Sequence, residues 1–373
     1  MNVLSVLNLH PKKYGSLEKY CVYITNQLIS QGHSHYIIFN GEPCEQVKQD
    51  LKQANIHNNC FGRLGFKDGL RLLGYVKKYK IDVVHLHFYP PYSLFSLLIF
   101  FFKTKCYITH HLSEDMQRCS SAKNMVIRIR NRVLGLGINK IFCISKYIQE
   151  IMVNNYQERR DKTAVIYNAL DVVDYDKHRV TRENKDGPVR LIAIGNLIEE
   201  KGFQYLIKAI PAVIKNNEKC ELIIVGEGYE GPENFENELK ELVITEGVEK
   251  YVFFLGLRSD VPQLLMDADI MVVPSIWGEG FGLINIEAMA AHLSVVATNV
   301  GAIPEIVIDN ETGILVEPKN EETIAAAINK LVNDKKMRER MGAKGYERVK
   351  KFFSLEKQCQ ELFSWWGITL TAP

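Results

Sequence analysis

None of the eight cysteines (Cys21, Cys44, Cys60, Cys106, Cys119, Cys143, Cys220 and Cys359) forms a CxxC pair, so neither a zinc cage nor a redox dithiol is suggested. Long apolar runs are missing too. The most hydrophobic stretch, Leu94 to Phe102, is broken by Ser96 and closed by Lys103. It is about half of the roughly 20 residues a spanning helix needs, and a buried helix is expected there. The opening MNVLSVLNLH lacks the basic flank and cleavage site of a signal peptide and reads as a first strand. Scattered thiols without an export signal point to a reducing cytoplasm.

Net charge is small, +2, but unevenly spread: through Lys185 there are 27 Lys and Arg against 15 Asp and Glu, and beyond it 19 against 29. A basic first half fits an ordinary solvated surface or attraction to an anionic membrane face or phosphorylated acceptor. Aromatics are not interleaved with basic residues in any recognised module, which argues against nucleic acid. What the chain does have is length and apolar content. Its 373 residues, 46% hydrophobic, are enough for two ordinary cores and exclude a mainly disordered protein.

Short apolar runs alternate with helical-period stretches, the pattern of parallel α/β sheets. Strands are expected at Val3–Leu7, His35–Phe39, Asp82–His85, Cys106–Thr109, Lys140–Ile144 and Thr163–Ile166. A second series is expected at Val189–Ile194, Glu221–Val225, Val252–Leu255, Ile270–Val273 and Ser294–Ala297. Between them Asp171 to Pro188 lacks apolar periodicity and ends in a breaker. The expected division is residues 1–175, a linker at 176–188, and a second domain at 189–352, with a helix at about 353–373 crossing back onto the first. Two doubly wound domains facing each other across a cleft are therefore predicted, with ligands at the carboxyl ends of the strands.

The densest chemical signal is PSIWGEGFGLINIEAMA, Pro274 to Ala290, which follows a β-branched strand and opens a helix. Gly280 and Gly282 permit close approach of a ligand to backbone, and the helix start offers N–H groups to a phosphate. Glu279 and Glu287 can accept hydrogen bonds from sugar and ribose hydroxyls. The same spacing equally suits a plain glycine turn before a solvated helix. A second signal, GNLIEEKGFQYLIKAI, puts Lys201 beside Gly202 at a helix entry, where an ammonium can compensate a diphosphate leaving group. The spacing is not that of a Walker loop. LIIVGEG, Leu222 to Gly228, ends a third strand in glycines.

Taken together these segments resemble the GT-B glycosyltransferases of family four, retaining enzymes that use nucleotide sugars. YGSLEKY resembles the family's first glycine loop, and VVHLH and ITHH its strand-end elements; NALD resembles the NGxD closing its first domain. VGEG, FLGL, DADIMVVPS, EGFGLINIEAMA, GAIPEIV and TGILVEP follow in the family's order. The resemblance implies a hexosyltransferase in which Glu279 contacts the donor sugar and Glu287 the ribose. The N–H groups of Phe281 to Leu283, with Gly280, Gly282 and Lys201, would hold the diphosphate. His111 would lie near the transferred sugar, and Gly15 would let the first domain approach the phosphate. Leu257 and Arg258 would border the base, Asn196 the phosphate, and Gly226 would belong to the same donor site.

Asn196 stands where the family often has arginine; His292 and Ser294 replace glycine and proline; Ala302 and Ser16 each replace a glycine. The resemblance implies retention by front-side attack, without a cofactor. Asp267-Ala268-Asp269 precedes a strand and reads as a turn, so no metal is expected. His85 with His87, and His110 with His111, lack the i, i+4 spacing of a helical metal site and end predicted strands. Alternation puts His85 and His87 on one face. The acceptor, a saccharide or a lipid-linked sugar, would meet variable loops at Glu42 to Phe66 and His111 to Asn131, near the basic and apolar MVIRIR. A cytoplasmic enzyme of cell-envelope polysaccharide or lipopolysaccharide synthesis, peripheral on the membrane, is the expected role. The alternatives are a sugar-nucleotide-binding protein with weak turnover and a nucleotide-sugar epimerase.

Overall fold

Val, Ile and Leu dominate the runs that become strands, and three of these, Val83–His87, Ile270–Val273 and Ser294–Thr298, are buried along their whole length, as parallel sheets covered by helices require. A computed structural model describes residues 1–11, 15–58, 61, 64, 66–111, 121–155, 158–177, 187–215, 217, 219–228 and 234–369. The chain divides into two compact units, Met1–Leu170 with Leu355–Pro373, and Asp171–Ser354.

In the first unit lie β1 (Asn2–Leu7), β2 (Ser34–Phe39), β3 (Asn55–Asn58), β4 (Val83–His87), β5 (Lys105–His110), β6 (Ile138–Cys143) and β7 (Thr163–Val165). They form a parallel sheet in the order β3-β2-β1-β4-β5-β6-β7. The second unit holds β8 (Val189–Ile194), β9 (Cys220–Val225), β10 (Val252–Phe254), β11 (Ile270–Val273), β12 (Ser294–Thr298) and β13 (Gly313–Val316), parallel in the order β10-β9-β8-β11-β12-β13. Strand order reverses between β1 and β4 in one sheet and between β8 and β11 in the other. Crossovers leave a crevice at the carboxyl end of such a reversal, where ligands of open sheets bind. Both units are Rossmann-like.

The sequence reading and the structure differ in four places. The edge strand β3 (NIHN) carries almost no apolar pattern, and β13 stands in a segment read only as a motif. Leu94 to Phe102 is not a buried helix throughout: Phe95 and Ile99 are buried, whereas Phe100, Phe101 and Phe102 are exposed. A single helical turn, Leu94–Leu98, passes into a 3-10 turn, Ile99–Phe101, and only one face reaches the core. The stretch read as linker begins with a helix, Val172–Lys177, that buries Val172 and Tyr175. Residues 178–186 of that stretch lie outside the described residues.

Candidate active site

In the second unit, the segments leaving β8 and β11 run side by side at the strand reversal. After β8 a 3-10 turn, Glu199–Lys201, ends at Gly202, whose φ is +72°. A Cβ there would stand 2.0 Å from the backbone oxygen of Pro274, so no side chain fits. Ile276 N donates to Glu200 O at 2.9 Å, lacing the two segments together. The side chains follow: Lys201 Nζ lies 2.6 Å from Glu279 Oε1, and Ser275 Oγ donates to the same oxygen at 2.7 Å. Glu279 is 14% exposed and Lys201 33%, so the pair is shielded but reachable.

Several contacts hold Glu279 in place. Ala302 N donates to its carbonyl at 2.9 Å, and Thr298 Oγ1 donates to Ser275 O at 2.5 Å. Three residues on, Gly282 (φ +86°) caps the helix Leu283–Ala290, and buried Asn285 donates Nδ2–H to Gly282 O at 3.1 Å. The first turn of a helix leaves N–H groups without intrahelical acceptors and carries a partial positive charge. Ammonium, carboxylate and helix start thus converge where the topology leaves a crevice. Glu287 is half-buried one turn along, and buried Phe281 meets Phe353 edge-on. Burial, then the carboxylates of Glu287 and Asp174, push the Tyr175 hydroxyl well above its ordinary pKa.

The other expected residues of this unit are more dispersed. Gly226 ends β9, and a Cβ on it would stand 1.9 Å from Gly195 O. Asn196, Leu257 and Arg258 are exposed. Arg258 already forks onto Asp260, at 2.8 and 2.7 Å. Asp269 follows a helix end and accepts from Arg190 N at 2.9 Å, at the amino end of the sheet away from Glu279. Among the described residues no cluster of three His, Cys, Asp or Glu is placed to hold a metal.

In the first unit, Gly15 caps the helix Ser16–Ser30, and the buried Glu18 carboxylate accepts from Gly15 N at 3.0 Å. His85 and His87 share a face of β4, rings 4.1 Å apart. His87 Nδ1 is 3.3 Å from His111 Nε2, and His111 stacks on Phe88 at 4.1 Å. Burial holds all three imidazoles well below their usual pKa, His85 at about 3. They are neutral at physiological pH, and His111 offers a hydrogen-bonding ring rather than a cation.

Sequence reasoning missed Ser275, Thr298 and Asn285, which orient Glu279 and its loop, and His87, which steadies His111. Ser275 and Asn285 stood inside the motif already singled out. Thr298 is brought in only by pairing of β12 with β11.

The family model for group 1 glycosyl transferases matches residues 174–348, and that for glycosyltransferase family 4 matches residues 17–174. An uncharacterized glycosyltransferase of Methanocaldococcus jannaschii is 30% identical over 275 residues, covering 73% of this chain and 71% of its own. A second from that organism is 26% identical over 355 residues, 88% of each. An Anabaena protein, HepE, solved in complex with UDP, superposes with a TM-score of 0.78 at 20% identity over 98% of this chain and all of its own. The chain belongs to the group 1 glycosyltransferases, family 4, and has their GT-B fold. It is a glycosyltransferase.

Proposed function

We propose that the enzyme moves a hexose-type sugar from a nucleoside diphosphate to an acceptor hydroxyl with retention at the anomeric carbon, in cell-envelope polysaccharide or lipopolysaccharide synthesis. The observation that carries this reading is the meeting of Lys201 and Glu279, 78 residues apart in sequence, at 2.6 Å beside the start of Leu283–Ala290. A diphosphate arriving there competes with Glu279 for the Lys201 ammonium and takes the helix N–H groups. The freed Glu279 carboxylate, still held by Ser275, accepts from donor-sugar hydroxyls, and Glu287 accepts from the ribose. His111 contacts the transferred sugar as a neutral ring. As the bond from the anomeric carbon to the phosphate oxygen breaks, the acceptor oxygen bonds on the same face and its proton passes to the leaving phosphate. Lysine and helix supply the charge compensation, with no metal required. The UDP bound by the Anabaena protein makes uridine donors the first to try.

Thermal-shift screening against UDP-, GDP- and ADP-sugars is expected to give one stabilising donor. With it, Glu279→Gln should keep the shift and lower transfer by about 100-fold or more. Transfer should survive excess chelator. Undiminished transfer by Glu279→Gln would remove that residue from the chemistry, and chelator-abolished transfer would overturn the metal-free route. Isomerised donor formed without acceptor would make the enzyme an epimerase instead.

A further inference from the structure

Directly after β4 the backbone is strained. Phe88 takes φ +59°, a left-handed conformation that glycine and asparagine adopt readily and a bulky side chain does not. Such a conformation persists only where its surroundings impose it. Here Asn8 holds both sides of the turn: its backbone N–H donates to His87 O at 3.1 Å and its Nδ2 to Phe88 O at 3.3 Å. Asn40 Nδ2 in turn donates to Asn8 Oδ1 at 2.9 Å. The turn produces a contact. The Phe88 ring lies over His111 with centroids 4.1 Å apart and planes 16° from parallel. Strand alternation would send neighbours 87 and 88 to opposite faces of the sheet, and the left-handed turn lets both reach the same ring.

His111 is gripped at its edge as well, by His87 Nδ1 at 3.3 Å from its Nε2. His87 is itself wedged. The His85 ring stands 4.1 Å from it, Tyr20 meets it edge-on at 5.6 Å, and Trp366 backs His85 at 5.5 Å. His87 is 2% exposed, and its Nε2 is buried with no partner among the described residues. Two neutral imidazoles sharing one hydrogen bond must choose which ring donates. If His111 donated, His87 would carry its own proton on Nε2 as an orphan N–H, and buried N–H groups without acceptors are rarer than under-satisfied acceptors. His87 therefore donates from Nδ1, His111 accepts at Nε2, and the His111 proton sits on Nδ1. That nitrogen has no protein partner among the described residues and the residue is only half-buried, so Nδ1–H is what the ring offers a ligand.

We propose that Phe88 and His87 are positioning residues for His111, the first fixing the plane of its ring and the second its tautomer, so that the ring meets the transferred sugar as an Nδ1–H donor to a hydroxyl oxygen. A ring already fixed in plane and tautomer loses little freedom when the sugar arrives, and small misplacements of such groups are expensive in rate. The proposal deepens the functional reading and rests on its placing His111 beside the transferred sugar.

Two-bond nitrogen–proton correlation spectra of the full chain, isotopically labelled at histidine, report the tautomer, with the His111 signals assigned by their loss in His111→Gln. A single neutral form protonated at Nδ1 is expected; exchange between tautomers, or a proton on Nε2, would overturn the proposal. Phe88→Gly suits the left-handed backbone but removes the ring. It should keep its melting temperature yet lower kcat by about tenfold or more, with donor KM within about threefold of wild type. Phe88→Tyr, which keeps a ring, should restore transfer. His87→Phe keeps the packing and removes the hydrogen bond, whereas the amide N–H of His87→Asn replaces Nδ1–H and should recover part of the lost kcat. Unchanged kcat in Phe88→Gly, or equal kcat in His87→Phe and His87→Asn, would sink the positioning roles. Glu279→Gln separates the two readings: full transfer by that variant defeats the functional reading and leaves the His111 spectrum intact, whereas a missing tautomer preference in the wild type defeats this proposal alone.

Discussion

His35 shows how one buried side chain sets a bulk property. Thr25 Oγ1 donates to Cys21 O at 2.7 Å, so His35 must donate from Nδ1 to Thr25 at 2.8 Å, and its Nε2 accepts from Ser5 Oγ at 2.9 Å. That arrangement is complete with a neutral ring, and burial pushes the pKa down to about 3; His85 is pushed equally low. The unfolded chain takes up these protons near pH 6.5, the folded one does not. Stability from both groups is therefore full above pH 6.5 and falls as the medium is acidified toward pH 3. Each should cost about 2 kcal/mol between pH 6.5 and 5. Urea unfolding at pH 7 and pH 5 measures the loss, and His35→Gln should show a shallower dependence. Equal midpoints at the two pH values would contradict the assignment. At this scale the sequence marked Lys201 and Glu279 as candidates, because residue types and glycine spacings are local, whereas His111 came only with the family resemblance. It did not reveal that His87 meets His111, since that contact depends on register between β4 and β5.

At the scale of the element, glycines decide which segments can approach. Gly202 ends one turn and begins the helix Phe203–Ile214 in a left-handed conformation against Pro274. Gly202→Ala forces a Cβ into backbone that cannot yield, and should cost about 1–3 kcal/mol of stability. Because the displaced segment carries Lys201, donor affinity should fall too; thermal melts with and without donor measure both. A variant with normal melting and normal donor response would show that the two segments need not touch. His292 illustrates the converse: it takes φ +60° at the end of Leu283–Ala290 and stacks on Tyr346 at 4.2 Å. A position suited to glycine holds an imidazole that finds packing in return. The helix Leu283–Ala290 was legible because a glycine cap and an apolar run mark it. The edge strand β3 was not, because its pairing with β2 lies in backbone hydrogen bonds that polar side chains do not advertise.

Across the whole molecule, the chain leaves the first unit after Leu170 and returns at Leu355. The returning helix, Leu355–Trp366, buries Leu362, Phe363 and Trp366 completely or nearly so. Tyr107 O–H donates to Trp365 O at 2.5 Å and Lys105 Nζ to Trp366 O at 3.2 Å. Gln358 Nε2 donates to Tyr167 O at 2.8 Å, fastening the same helix near the chain's exit. Trp366→Ala removes a large side chain from a closed core and should cost about 3–5 kcal/mol. Calorimetry should show the loss in the first unit's transition, with the donor-stabilised transition unchanged. A variant melting like the wild type would mean that this helix is dispensable.

The amino-acid sequence by itself determined the α/β class, the two strand series, and the glycine-flanked carboxylate and lysine of the candidate site, because hydrophobic period and turn chemistry are local. Tertiary structure alone decided that Lys201 reaches Glu279, that Phe100 and Phe101 face outward, and that His87 meets His111. Each of those outcomes depends on which strands become neighbours, and neighbours distant in sequence leave no mark on the local pattern of either partner.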